Sequence, residues 1–103
     1  MESSKEKRLE KAGWKVGSTG DFLDLSPEEA RIVDLRLALA DCLRATRTKK
    51  RLTQDALAKR IHSSQSRVAK MEAGDQSVSL DLLFKSLFTL GVSRKDLARA
   101  LKV

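Results

Sequence analysis

Residues 52–74 read "LTQDALAKRIHSSQSRVAKMEAG", and the fold is decided by how this stretch is read. Thr53 stands before one apolar-periodic run and Ser64 before a second. Both residue types offer a side-chain oxygen to the free amides of a helix's first turn, so each marks a helix start. The first predicted helix covers residues 54–61 and the second 65–73, with Gly74 as the stop signal of the second. Leu52, Leu57, Ala58 and Ile61 face inward from the first helix, and Val68 and Met71 from the second. Ala58 is small where two helices must cross closely. The residues between, "IHSS", then form a turn. His62 is a turn residue in this reading and neither a catalyst nor a metal ligand, because the chain has no second histidine and one cysteine, Cys42, in another predicted helix.

The outward residues of the second helix are Gln65, Ser66, Arg67 and Lys70. Three of these carry the donors and acceptors used on base edges: glutamine for adenine, arginine and lysine for guanine. They cluster at the N-terminal end, the end that enters the major groove in a helix-turn-helix pair. Gln54 and the amides at the start of the first helix would meet phosphate instead, with Lys49, Lys50 and Arg51 beside them.

Working outward, "SPEE" at residues 26–29 predicts a helix start, with Ser26 as cap, Pro27 at the first helical position and Glu29 closing a capping box. This helix should run to about Thr48. Its apolar stripe takes in Ile32, Leu35, Leu39, Cys42 and Leu43, while Val33, Leu37 and Ala40 lie off it, and Val33 and Leu37 call for a second cover. The nearest cover is the preceding arm, "GWKVGSTGDFLDL", which is too apolar for a free linker and too glycine-rich for a helix. Residues 4–12 before it form a short charged helix candidate ended by Gly13. Toward the other end, Ser79 caps a predicted helix over 80–90 closed by Gly91, and Ser93 caps another over 94–101. The apolar Val92, Leu97, Leu101 and Val103 near the terminus read as a dimer surface.

The bulk numbers agree with a small all-α domain: 103 residues, 41% hydrophobic, one proline and four aromatics. The net charge is +7, and it is uneven, since residues 42–62 hold seven basic residues against one acidic. A local excess of this kind attracts polyanions through counterion release, nucleic acid above all. A single cysteine allows no internal disulfide, and Cys42 reads as a small buried hydrophobe in a reducing compartment. The charged start resembles no secretory signal, and no apolar run approaches a membrane span, so a cytoplasmic, nucleoid-associated protein is expected. No catalytic triad, glycine-rich phosphate loop or metal-spaced carboxylate pair stands out, so neither an enzyme, a cofactor nor a metal site is expected.

Leu52-Thr53-Gln54, Leu57-Ala58, Ser64-Gln65, Val68, Glu72 and Gly74 stand in register with "LTQxxLAxxxGxSQxxVxxxExG". In these residues the chain resembles the lambda-repressor-like, xenobiotic-response-element-type helix-turn-helix family. The resemblance implies an all-α, five-helix lambda-repressor-like DNA-binding domain at 27–103, with the motif at 53–73 and an extension at 1–26 (a short helix plus an irregular arm). It implies a homodimer on a palindromic double-stranded operator. Base reading falls to Gln65, Ser66, Arg67 and Lys70. Phosphate contacts fall to Lys49, Lys50, Arg51, Thr53, Gln54, Ser64 and Ser79. It also implies a partly buried ion pair between Arg47 and Glu72 that orients the second motif helix. His62 and Ser63 depart from the family's glycine and apolar turn residues; histidine tolerates the left-handed conformation at modest cost.

Over nearly the whole chain, "AGWKVGSTGDFLDLSPEEA" followed by "SSQSRVAKMEAGDQSVSLDLL" resembles HigA-like antitoxins, which bind RelE- or HigB-like toxins and repress their own operon. Trp14, Val16, Phe22, Leu23 and Leu25 of the arm then become the expected toxin-binding residues. The alternatives are a stand-alone repressor of the phage or restriction-control type, and an interaction module that has lost DNA binding. The intact Gln54, Gln65, Arg67 and Lys70 argue against the last.

Overall fold

The structure is a computed structural model that describes residues 25–102. It contains five helices: α1 Pro27–Lys49, α2 Gln54–Arg60, α3 Gln65–Ala73, α4 Leu80–Thr89 and α5 Arg94–Leu101. No strand occurs among the described residues. The predicted charged helix at 4–12, and Trp14, Val16, Phe22, Leu23 and Val103, lie outside them. Leu25 is half-buried at the bend before α1.

Each helix starts as its cap residue dictates. Ser26, Thr53, Ser64, Ser79 and Ser93 all hold extended backbone, and each hydroxyl accepts the amide three residues on, satisfying one of the orphan donors of the first turn. Glu29 and Asp96 reach back to the amides of Ser26 and Ser93 and complete capping boxes at α1 and α5.

The helix ends share one device. After α1 to α4, the left-handed residues are Arg51 (φ 58°), His62 (φ 56°), Gly74 (φ 73°) and Gly91 (φ 86°). The amide following each bonds back five residues: Leu52 to Arg47, Ser63 to Ala58, Asp75 to Lys70 and Val92 to Leu87. These are Schellman closures, which normally place glycine at the left-handed position. Two of the four use a larger residue, and at Arg51 nothing in the sequence reading had pointed to it. The closures also shorten two predicted helices: Ile61 and Leu90 are cap residues past the last turn.

The core draws Leu39 and Leu43 from α1, Leu57 and Ala58 from α2 with Ile61 at its cap, Val68 and Met71 from α3, Leu83 and Leu87 from α4, and Leu97 from α5. α1 is the spine, packing against α3, α4 and α5, while α2 and α3 pack on each other. Ser86, fully buried on α4, donates its hydroxyl to the Leu82 carbonyl at 2.8 Å, so no polar atom there is stranded.

Two expectations are corrected. On the first half of α1, Ile32 and Leu35 point outward at 43% and 46% exposure, while Val33, Leu37 and Ala40 are buried. The inward face is rotated from the expected stripe because α1 must meet the end of α3: Leu37 rests on Gly74, where an added Cβ would lie 2.7 Å from Leu37 Cδ2. Leu37 thus meets the end of α3, while most of the arm expected to cover Val33 and Leu37 lies outside the described residues. The expected dimer surface is likewise mostly spent, since Val92 and Leu97 belong to the core and Leu101 packs against it.

Candidate nucleic-acid interface

The α2–turn–α3 unit places the outward residues as the 3.6-residue period requires. Val68 and Met71 are fully buried against α2 and the rest of the core, so Gln65, Ser66, Arg67 and Lys70 are driven to the opposite, exposed face. His62 holds the turn in the left-handed region, and Ser64 begins α3 by accepting the Arg67 amide at 3.2 Å.

Beneath that face runs a chain of side-chain hydrogen bonds. Gln65 Nε2 donates to Gln54 Oε1 at 2.8 Å, and Gln54 Nε2 donates to Glu72 Oε1 at 3.1 Å. Glu72 is bound from its other side by Arg47, Nε to Oε2 at 2.5 Å and Nη2 to Oε1 at 3.1 Å. Arg47 Nη1 also donates to the Leu52 carbonyl at 2.7 Å, tying α1 to the segment that leads into α2. The bidentate pair is largely shielded, with side chains 15% and 5% exposed. Hydrogen bonding to Glu72, opposed by burial and aided by the carboxylate's charge, holds the Arg47 guanidinium above its ordinary value, so it stays charged. Arg47 on α1, Gln54 on α2 and Glu72 on α3 thereby fix the orientation of Gln65. The Gln54–Gln65 link escaped the sequence reading. Its signal is that each glutamine is the first residue of its helix.

The expected phosphate residues are distributed over three places. The Thr53, Ser64 and Ser79 hydroxyls are engaged as caps, accepting from Ala56, Arg67 and Leu82, so what they leave outward is backbone amide. Gln54 is already held through both ends of its amide, with one Nε2 hydrogen to spare. Lys49, Lys50 and Arg51 are exposed, and the two lysines border a groove with Leu90, Gly91, Val92 and Asp96.

A second cleft, unanticipated from sequence, opens between α3 and the loop before α4, lined by Ser64, Ser66, Arg67, Lys70, Ser77 and Val78. The loop is ordered from within. Asp75 Oδ1 accepts the Ser77 amide at 2.8 Å and the Asp75 carbonyl accepts the Val78 amide. Burial pushes the Asp75 carboxyl up, but the bonds from Ser77 and the charges of Lys70 and Arg36 outweigh it and hold the group below its ordinary value.

A helix-turn-helix family model of the lambda-repressor-like, xenobiotic-response-element type matches residues 43–97, just over half of the chain. The chain belongs to this family. No curated protein and no solved structure matches it. The family is one of DNA-binding transcription regulators. Within this helix-turn-helix regulator, the match takes in Arg47, Gln54, Gln65, Glu72 and the whole α2–α3 unit, and leaves out residues 27–42 of α1. Among the described residues no helix is long and apolar enough to cross a membrane, and no group of three metal-ligating side chains occurs.

Proposed function

We propose that this regulator is a sequence-specific transcriptional repressor that reads a palindromic operator as a homodimer. The observation that carries the reading is the outer face of α3. Four polar residues stand exposed there, three of them with base-edge chemistry, and the first, Gln65, is held from below through Gln54, Glu72 and Arg47. Preorganised donors lose less freedom on binding than mobile ones. In this reading Gln65, Ser66, Arg67 and Lys70 meet bases. Lys49, Lys50, Arg51, the amides at Thr53, Ser64 and Ser79, and the spare Gln54 hydrogen meet phosphates.

For the two-fold contact, α4 leaves apolar surface available: Phe84 and Phe88 stack with centroids 6.1 Å apart, and Phe88 is 52% exposed. Asp81 and Lys85, one turn apart, border the same face. An antiparallel second copy sets acid against base at both edges.

The biological role we propose is the antitoxin of a type II toxin–antitoxin pair that binds a RelE/HigB-like toxin and represses its own operon. Support comes from the HigA-like pattern and from Ile32 and Leu35, exposed on the half of α1 that adjoins the arm. A stand-alone repressor is the second reading, because the helix-turn-helix match at 43–97 serves a regulator with or without a toxin partner. One experiment tests the repressor common to both readings, and a second separates them. Titrating salt against binding to the chain's own promoter tests the repressor, with a slope near zero rejecting it. Capture of a small basic toxin by the full chain, lost on deleting residues 1–26, supports the antitoxin; unchanged capture rejects the arm as its binding site.

A further inference from the structure

Arg36 lies on α1 outside the segment shared with the family, and it is buried at 8% exposure. Its Nη1 donates to the Val78 carbonyl, and its Nε has no partner. A guanidinium kept under a loop with one donor unsatisfied is expensive, so its position calls for a reason. The reason lies in the peptide that follows. Val78 C=O and Ser79 N–H belong to one planar trans unit and point in opposite directions. Drawing the carbonyl inward onto Arg36 turns the Ser79 amide outward, and among the described residues that amide has no acceptor. Leu37, the next residue along α1, meets Gly74 at the other end of the same loop. The loop thus has both ends fastened to α1, and it forms one wall of the cleft whose other wall carries Arg67 and Lys70.

We propose that Arg36 is a positioning residue: it aims the Ser79 amide, and with it the start of α4, at a DNA phosphate. This rests on the reading that the chain binds DNA, and adds that the part of α1 outside the family match sets one backbone contact. The test uses the full chain and a duplex selected from a random library by the wild-type protein, with ethylation interference reporting each phosphate. Thermal melts keep every assay below the unfolding range. Arg36→Met keeps the length of the side chain and removes the donors. It is expected to erase interference at one phosphate per half-site, leave the others, weaken selected and random duplexes alike by about tenfold, and leave base preference unchanged. Arg36→Lys, which keeps one donor for Val78, is expected to retain part of that phosphate's interference, and stands in if the methionine variant does not fold. An unaltered phosphate pattern in either variant, or loss spread over every phosphate, overturns the proposal. Failure of the wild-type chain to select any duplex overturns instead the DNA-binding reading on which it rests.

Discussion

At the scale of single residues, the four left-handed positions and the Glu72 pair make separable demands. At Gly74 and Gly91, any Cβ incurs about 1–2 kcal/mol for the left-handed backbone. Gly91 has open space around it, whereas Gly74 lies under Leu37. Gly74→Ala is therefore expected to destabilise more than Gly91→Ala by about 1 kcal/mol, with Leu37→Ala removing most of that excess in a double-mutant cycle read by denaturant melts. His62→Gly is expected to change stability by less than about 1 kcal/mol and to leave DNA binding intact, since glycine suits the same φ. A large loss of binding would count against His62 as a turn residue. Arg47→Met leaves Glu72 buried with no cation, and about 3–5 kcal/mol of stability should go with it. His62 was legible because the motif register pointed to it. Arg51 was not: its left-handed backbone follows from how α1 must turn into α2, and a basic run offers no local sign of that.

At the scale of elements, the caps were the most legible feature, because a serine or threonine before an apolar-periodic run has a local cause and needs no tertiary knowledge. Both ends of α3 and both ends of α5 follow directly from Ser64, Gly74, Ser93 and the last apolar residue. The inward face of α1 was not legible. Ile32 and Leu35 have the spacing of a core stripe, but Leu37 is claimed by Gly74 and Arg36 by Val78, which turns the helix by tertiary contact. The α3–α4 loop was likewise opaque, since Asp75, Ser77 and Val78 gain their roles only when α1 lies beside them. Asp75 gives the loop a pH signature. Its folded value is held below the ordinary one, so its contribution is present above about pH 4 and is lost as pH falls through the folded value. Melting temperature should therefore fall more steeply in acid for the native chain than for Asp75→Asn; parallel curves would remove Asp75 from the loop's support.

At the scale of the whole molecule, the proposed dimer and the proposed DNA contact depend on each other, because a lone α3 reads too few bases to be selective. Phe88→Glu places a charge in the proposed two-fold contact while leaving the core untouched, as Phe88 is half exposed. Sedimentation equilibrium should show the variant as monomer where the native chain is dimer, and an undisturbed dimer would move the interface elsewhere. The measurement closest to the central claim is the binding of native and Arg67→Ala chains to a selected operator and to random duplex across a salt series. Native binding should fall linearly in log–log form with several phosphates' worth of slope, and favour the operator by roughly a thousandfold or more. Arg67→Ala should forfeit about 1–3 kcal/mol of that preference at one base pair, while Lys50→Ala weakens both duplexes alike. A slope near zero, or equal losses from both variants on both duplexes, would contradict the assignment of α3 as the reading helix.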